Sequence, residues 1–119
     1  MPDASACQAE LVTEEREWGR AGRLVEHIES LDGVRRKGTS AVPAWYVHNR
    51  LVARAESADR WIIRCPFDLR ETLLREHPET FGVRPRLEAH TKVEAYPQEG
   101  DLDAMCRAID AAWEMQQAP

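Results

Sequence analysis

Three short runs in the middle of the chain, VPAWYV, LVARA and RWIIRC, constrain the fold more than any other feature. Each is rich in aromatic and β-branched residues, and short polar segments that suit turns separate them. Consecutive strands of this kind fold as antiparallel hairpins, in which residues directly opposite each other point to the same side of the sheet. That parity assigns two faces. If Trp45 and Val47 face the core, then Leu51, Ala53, Ala55, Trp61, Ile63 and Cys65 face it with them. Pairing Val47 with Leu51 leaves the three-residue loop His48-Asn49-Arg50, where asparagine tolerates positive φ. The same register makes Glu56 to Arg60 a five-residue connection. The opposite face then carries Tyr46, Val52, Arg54, Ile62 and Arg64, with Arg50 and Arg60 at the hairpin ends.

Helical periodicity flanks these strands. Thr13 followed by Glu14, Glu15 and Glu17 reads as a capped, acidic helix start. Trp18, Ala21, Leu24, Val25, Ile28 and Leu31 recur at spacings of three and four, up to a stop at Asp32-Gly33. Gly19 and Gly22 weaken this helix and let another element approach closely. After the third strand, Asp68 and Glu71 have the spacing of a capping box, and Leu69, Leu73 and Leu74 form a narrow stripe before Pro78 ends the helix. The stretch ETFGVRPRLEA is an extended connector anchored by Phe81, and a strand follows around HTKVEAY. Asp101 opens a last helix on the pattern Leu102, Met105, Cys106, Ile109, Ala112 and Trp113. The expected fold is therefore α+β, with an antiparallel sheet of about four or more strands against three helices, in the order α-β-β-β-α-β-α. Residues 1–12 form a loose leader and 13–119 a single domain.

Composition narrows the function classes. With 43% hydrophobic and 31% charged residues, the chain is ordinary globular material rather than a disordered segment. No run approaches the ~18 apolar residues that span a bilayer. The N-terminus lacks the basic start and apolar stretch of a signal peptide, so a cytoplasmic location and no membrane partner are expected. Cys7, Cys65 and Cys106 have no pairing that suggests a disulfide framework or a zinc site. His27, His48, His77 and His90 show no metal-ligand spacing, no serine lies in a nucleophile motif, and no glycine-rich phosphate loop occurs. Asp101 and Asp103 are explained by helix capping. The expectation is a protein without a cofactor and without catalytic residues.

Charge is distributed unevenly. Residues 1–32 and 93–119 each carry a net −5, while residues 33–92 carry +5, for an overall −5. The outer sheet face concentrates this positive centre. Arg54, Arg64 and Tyr46 lie on it, Arg50 lies at a hairpin end, and Lys92, Glu94 and Tyr96 join from the last strand. Arg35, Arg36, Lys37, Arg84 and Arg86 extend the same patch. Arginines beside tyrosines on an open sheet suit phosphates and stacked bases, so DNA or another polyanion is the first candidate ligand. The bland counterpart is a solvated sheet face, and overall acidity works against strong nonspecific DNA binding. A small molecule held near Trp45, Trp61 and Phe81, between the sheet and the connector 82–91, is an alternative. A protein–protein adaptor using the acidic helices is another.

The segments LDGV and GTSAVPAWYVHNRLVARA, followed by WIIRCPFDLRETLLREHPETFGVRP, resemble the MmcQ/YjbR family of small bacterial proteins. The likeness runs from about Thr13 to Trp113. Its most specific piece is Phe67-Asp68-x-Arg70-Glu71-x-Leu73 leading to Pro78-Glu79-Thr80-Phe81. Leu31-Asp32-Gly33-Val34 and Pro43-Ala44-Trp45 match two further family segments. The resemblance implies a CyaY-like, double-wing α+β fold and a DNA-binding role that rests on fold analogy. The mitomycin cluster from which the family takes part of its name hints at small-molecule roles. Where relatives often carry a tryptophan near the start of the last strand, this chain has Lys92, which implies a more polar surface there.

Overall fold

The structure is a computed structural model that describes residues 18–117. The leader, the helix start at Thr13 and the final two residues lie outside the described residues. Six strands form one antiparallel sheet: β1 (Arg35–Gly38), β2 (Pro43–Val47), β3 (Arg50–Ser57), β4 (Arg60–Arg64), β5 (Phe81–Gly82) and β6 (Lys92–Ala95). Their spatial order is β1-β2-β3-β4-β6-β5. Helices α1 (Gly22–Ser30), α2 (Phe67–Glu76) and α3 (Leu102–Met115) complete the α+β architecture. Two strands extend the expected order. β1 is wholly exposed and β5 has only two residues, so neither carries the buried alternation from which a strand is read.

The two hairpins keep the expected register in their bodies and change it at their tips. Trp45 lies opposite Ala53, and Ala55 opposite Trp61. At the first tip, however, Val47 pairs with Arg50 rather than Leu51. This leaves a two-residue turn, His48-Asn49, with φ of 52° and 62°. Positive φ at both central residues matches the twist of the flanking strands, and asparagine and histidine are among the residues that tolerate it. A bulge in β3 absorbs the extra residue. It turns Val52 into the core, against expectation, and places Leu51 opposite Tyr46 on the outer side. The second hairpin repeats the device: Ser57 pairs with Arg60, and a shift between Ala55 and Ser57 restores the register. A tight turn plus a bulge and a longer loop satisfy the same parity, so alternation alone could not separate them.

The core fills the space between one sheet face and the helices. Trp45 and Trp61, both fully buried, stack with centroids 4.9 Å apart and planes 13° from parallel, and Trp18 meets Trp61 edge-on at 6.4 Å. Such pairs add roughly 0.5–1.5 kcal/mol each beyond their burial. Leu24, Val25 and Ile28 of α1 and Met105, Ile109 and Ala112 of α3 close the layer. Asp101 caps α3 as expected, accepting the Ala104 N–H at 3.1 Å.

Two helical segments differ from expectation. Gly19 has φ +56°, and a short 3₁₀ turn, Gly19–Ala21, precedes α1. A Cβ on Gly19 would lie 2.8 Å from Gln98 Oε1, which shows the close approach the glycine permits. Gln98 fills that space, donating to the carbonyls of Trp18 and Ala58 at 2.7 and 3.0 Å. In α2 the capping box does not form. Pro66 occupies the cap position, so Asp68 falls inside the first turn, where its charge still suits the helix dipole.

Beyond α2 the chain reaches the far sheet edge as β5, then doubles back so that β6 inserts beside β4. α2 and the connector after it thus route the last strand into the sheet. One buried side chain fixes that route. Arg70, only 6% exposed, donates to the carbonyls of Leu87, His90 and Lys92 through one terminal nitrogen and to Glu88 through the other.

Candidate functional site

The helices contribute the core described above, whereas the opposite sheet face carries mostly cations. Alternation along the strands, with the bulges counted, puts Arg35, Lys37, Tyr46, Arg54, Arg60, Ile62, Arg64, Lys92, Glu94 and Tyr96 on this outer side. Arg36 alternates to the other side, where it pairs with Glu29 of α1 at 2.5 Å. Glu29 also accepts the Trp45 indole N–H at 2.9 Å. Burial alone would raise the Glu29 pKa, but these two donors outweigh it and hold the carboxylate below its usual range. Arg36 is therefore bound to the fold rather than free on the patch.

The outer face divides into two unlike halves. In one, carboxylates neutralise the arginines. Glu56 accepts from Arg84 at 2.9 Å and from Arg54 at 3.3 Å, with Arg86 at 3.8 Å. Arg84 also pairs with Glu94, which is 2% exposed and accepts the Tyr96 hydroxyl at 3.0 Å. Burial and this bond to Glu94 raise the Tyr96 pKa. Gly82 leaves room for that hydroxyl, since a Cβ there would lie 2.1 Å from it. Ile62, expected on a solvated face, is fully buried, although it lies opposite Arg54 and Glu94 and outside the main core cluster. This part of the sheet is roofed.

The other half lies at the sheet end where β3 and β6 begin and β4 stops. Arg64 of β4 stands directly opposite Lys92 of β6. Neither makes an ion pair or side-chain hydrogen bond among the described residues, and Arg64 Nε is buried without a partner. Burial, then the charges of Arg64 and Arg54, push the Lys92 ammonium below its usual pKa. An open cleft of about 560 Å³ lies here, lined by Arg50, Leu51, Arg64, Lys92 and Gln116. Gln116, at the C-terminus of α3, donates to the Leu51 carbonyl at 2.9 Å.

At the β1 edge the cations are exposed. Lys37 sits over the Tyr46 ring at 5.0 Å and donates to Asn49 at 3.1 Å. Arg35 lies opposite Tyr46. Short, charged edge strands also discourage pairing with other chains, so this run has a structural use of its own.

The structure thus brings together Arg50, Arg64 and Lys92, keeps Arg35, Lys37 and Tyr46 at one margin, and ties Arg54 and Arg84 to carboxylates. Arg86 is largely exposed at the rim. Trp45, Trp61 and Phe81, expected beside a pocket, are core residues and line none of these clefts, because these three rings face the helices. Sequence reasoning did not find Arg70 or Gln116. Arg70 does carry a signal, since it falls within the apolar stripe of α2, three residues before Leu73.

A second polar seam joins α1 to α3. Arg23 pairs with Asp103, and His27 Nε2 lies 2.7 Å from Asp110. Cys106 shares a shallow cleft with Arg23, Glu26 and His27, and burial raises its thiol pKa. Cys65 is pushed up to about 11 by burial. Both thiols favour the protonated, poorly nucleophilic form at neutral pH. Among the described residues no group of three or more histidine, cysteine or carboxylate side chains could hold a metal ion. No helix in this range is long and apolar enough to cross a membrane.

Comparison with known proteins adds no relative: no family model, curated protein or solved structure matches this chain.

Proposed function

We propose that this protein is a cytoplasmic binding protein, rather than an enzyme, that presents its outer sheet face to a polyanion, with DNA as the first candidate. The observation that carries the reading is the end of that face where Arg64 and Lys92 stand opposite each other with no carboxylate partner among the described residues. Like charges directly across two strands oppose pairing, and a bound anion would relieve that repulsion. Lys37 and Arg35 flank Tyr46 on the same side, offering a ring for stacking beside charges for phosphates. Segregation of charge answers the objection from the net −5. Acidic residues such as Asp103, Asp110 and Glu26 sit on α1 and α3, away from the cationic face.

Membership of the MmcQ/YjbR family belongs to the same proposal. Its support is that the residues carrying the resemblance have clear structural work: Arg70 clamps the connector, Phe81 enters the core, and buried Thr80 accepts the Asp101 N–H at 2.9 Å. Because these residues build the scaffold, the resemblance bears on fold more than on ligand.

The test is fluorescence anisotropy of a labelled DNA duplex at several salt concentrations. Affinity that falls steeply with salt, and drops at least about tenfold in Arg64→Glu, supports the reading. No binding at low salt retires DNA as the ligand.

A further inference from the structure

The cleft at the sheet end has the chemistry of a specific subsite. Its lining is polar apart from Leu51, so a ligand group gains little there from apolar burial. Arg64 contributes a planar guanidinium whose Nε is already out of water and has no partner among the described residues. Lys92 contributes a point charge directly across the strand pair. A fork beside a point charge suits a group with several free oxygens and more than one negative charge. A single carboxylate or a backbone phosphodiester carries one charge and compensates only one cation of the facing Arg64–Lys92 pair, with Arg50 also lining the cleft. A phosphomonoester carries close to two at neutral pH and compensates both.

We propose that this cleft is a phosphomonoester site, in which the terminal phosphate of a polynucleotide seats between the guanidinium of Arg64 and the ammonium of Lys92. The inference rests on the polyanion reading for the source of the phosphate, and on the cleft alone for its chemistry. The lowered Lys92 pKa agrees with it, because burial and the neighbouring arginines disfavour the charge that a dianion would stabilise.

Three probes test it: one short oligonucleotide with a 5′-phosphate, the same strand with a 5′-hydroxyl, and inorganic phosphate. The 5′-phosphorylated strand should bind about tenfold more tightly than its hydroxyl counterpart. Lys92→Met should abolish that advantage, and Arg64→Lys, which keeps the charge but loses the fork, should reduce it. Inorganic phosphate should shift the ¹H–¹⁵N signal of Arg64 Nε in the wild type and not in Lys92→Met. Melting curves establish that each variant is folded. If both strands bind equally and inorganic phosphate leaves the Arg64 signal in place, the subsite is overturned while the polyanion face stands. If neither strand binds but inorganic phosphate moves the Arg64 signal in a Lys92-dependent way, the subsite stands and the polynucleotide reading falls. Silence from all three probes overturns both.

Discussion

Arg84 and Arg64 sit on the same face of one sheet and do opposite things. Arg84 is held between Glu56 and Glu94, and its charge is consumed within the protein. Arg64 faces Lys92 across the strands and has no carboxylate among the described residues. A count of arginines on the face would give both the same weight. The difference shows that charge available to a ligand depends on which carboxylates fold back onto the face, here two glutamates from β3 and β6. The roofed half contributes to stability, and the open half retains a repulsion that a ligand can relieve.

Removing the roof should have the largest effect. Arg70→Met leaves four carbonyls without their shared donor and frees the connector that carries Arg84 over Glu94. A stability loss of about 3 kcal/mol is expected in urea unfolding. Glu94→Gln tests the neutralised half directly. Breaking a buried pair costs several kcal/mol, but Arg84 is about a third exposed, so roughly 2 kcal/mol is expected here. Adding Arg84→Met to Glu94→Gln should recover part of that loss, as coupling between the two residues requires.

The open half should behave in the reverse sense. Lys92→Met removes a charge facing another charge, so its unfolding free energy at neutral pH should equal or exceed the wild type's by up to about 0.5 kcal/mol. A clear loss of stability would place an unrecognised partner on Lys92 and erase the contrast. The smallest effect is a pH dependence. The folded state holds the Lys92 proton less tightly than the unfolded chain, whose ordinary lysine pKa is 10.5. Over alkaline pH, from the lowered folded value up to that value, the unfolded state binds more protons and wild-type stability rises with pH relative to Lys92→Met. Paired melts at neutral and alkaline pH should show the gap between the two proteins move in the wild type's favour.

Much of this was legible from alternation. The pairs Trp45 with Ala53 and Ala55 with Trp61 follow from parity, as does the outward direction of Arg54, Arg64 and Lys92. What parity cannot carry is a bulge, because one inserted residue restores the alternation on its far side. For that reason alternation alone puts Val52 on the wrong face and Leu51 in the core. The site was less legible than the fold for a different reason. Whether Glu56 reaches Arg84 depends on where the connector returns, a contact between residues far apart in sequence. Periodicity in a short window contains no such information. Burial of Ile62 beneath charged neighbours was hidden for the same cause.

The central claim is that the two halves of the cationic face are not equivalent. Two double variants with the same formal charge loss test it: Arg64→Gln with Lys92→Gln, and Arg54→Gln with Arg86→Gln. Anisotropy titrations of a labelled DNA duplex over a salt series give the slope of log affinity against log salt for each. The first pair should flatten that slope by about two phosphate contacts and weaken binding more than tenfold at low salt, while the second should change both much less. Equal losses from the two pairs would mean that the duplex senses only net charge, and would contradict the account.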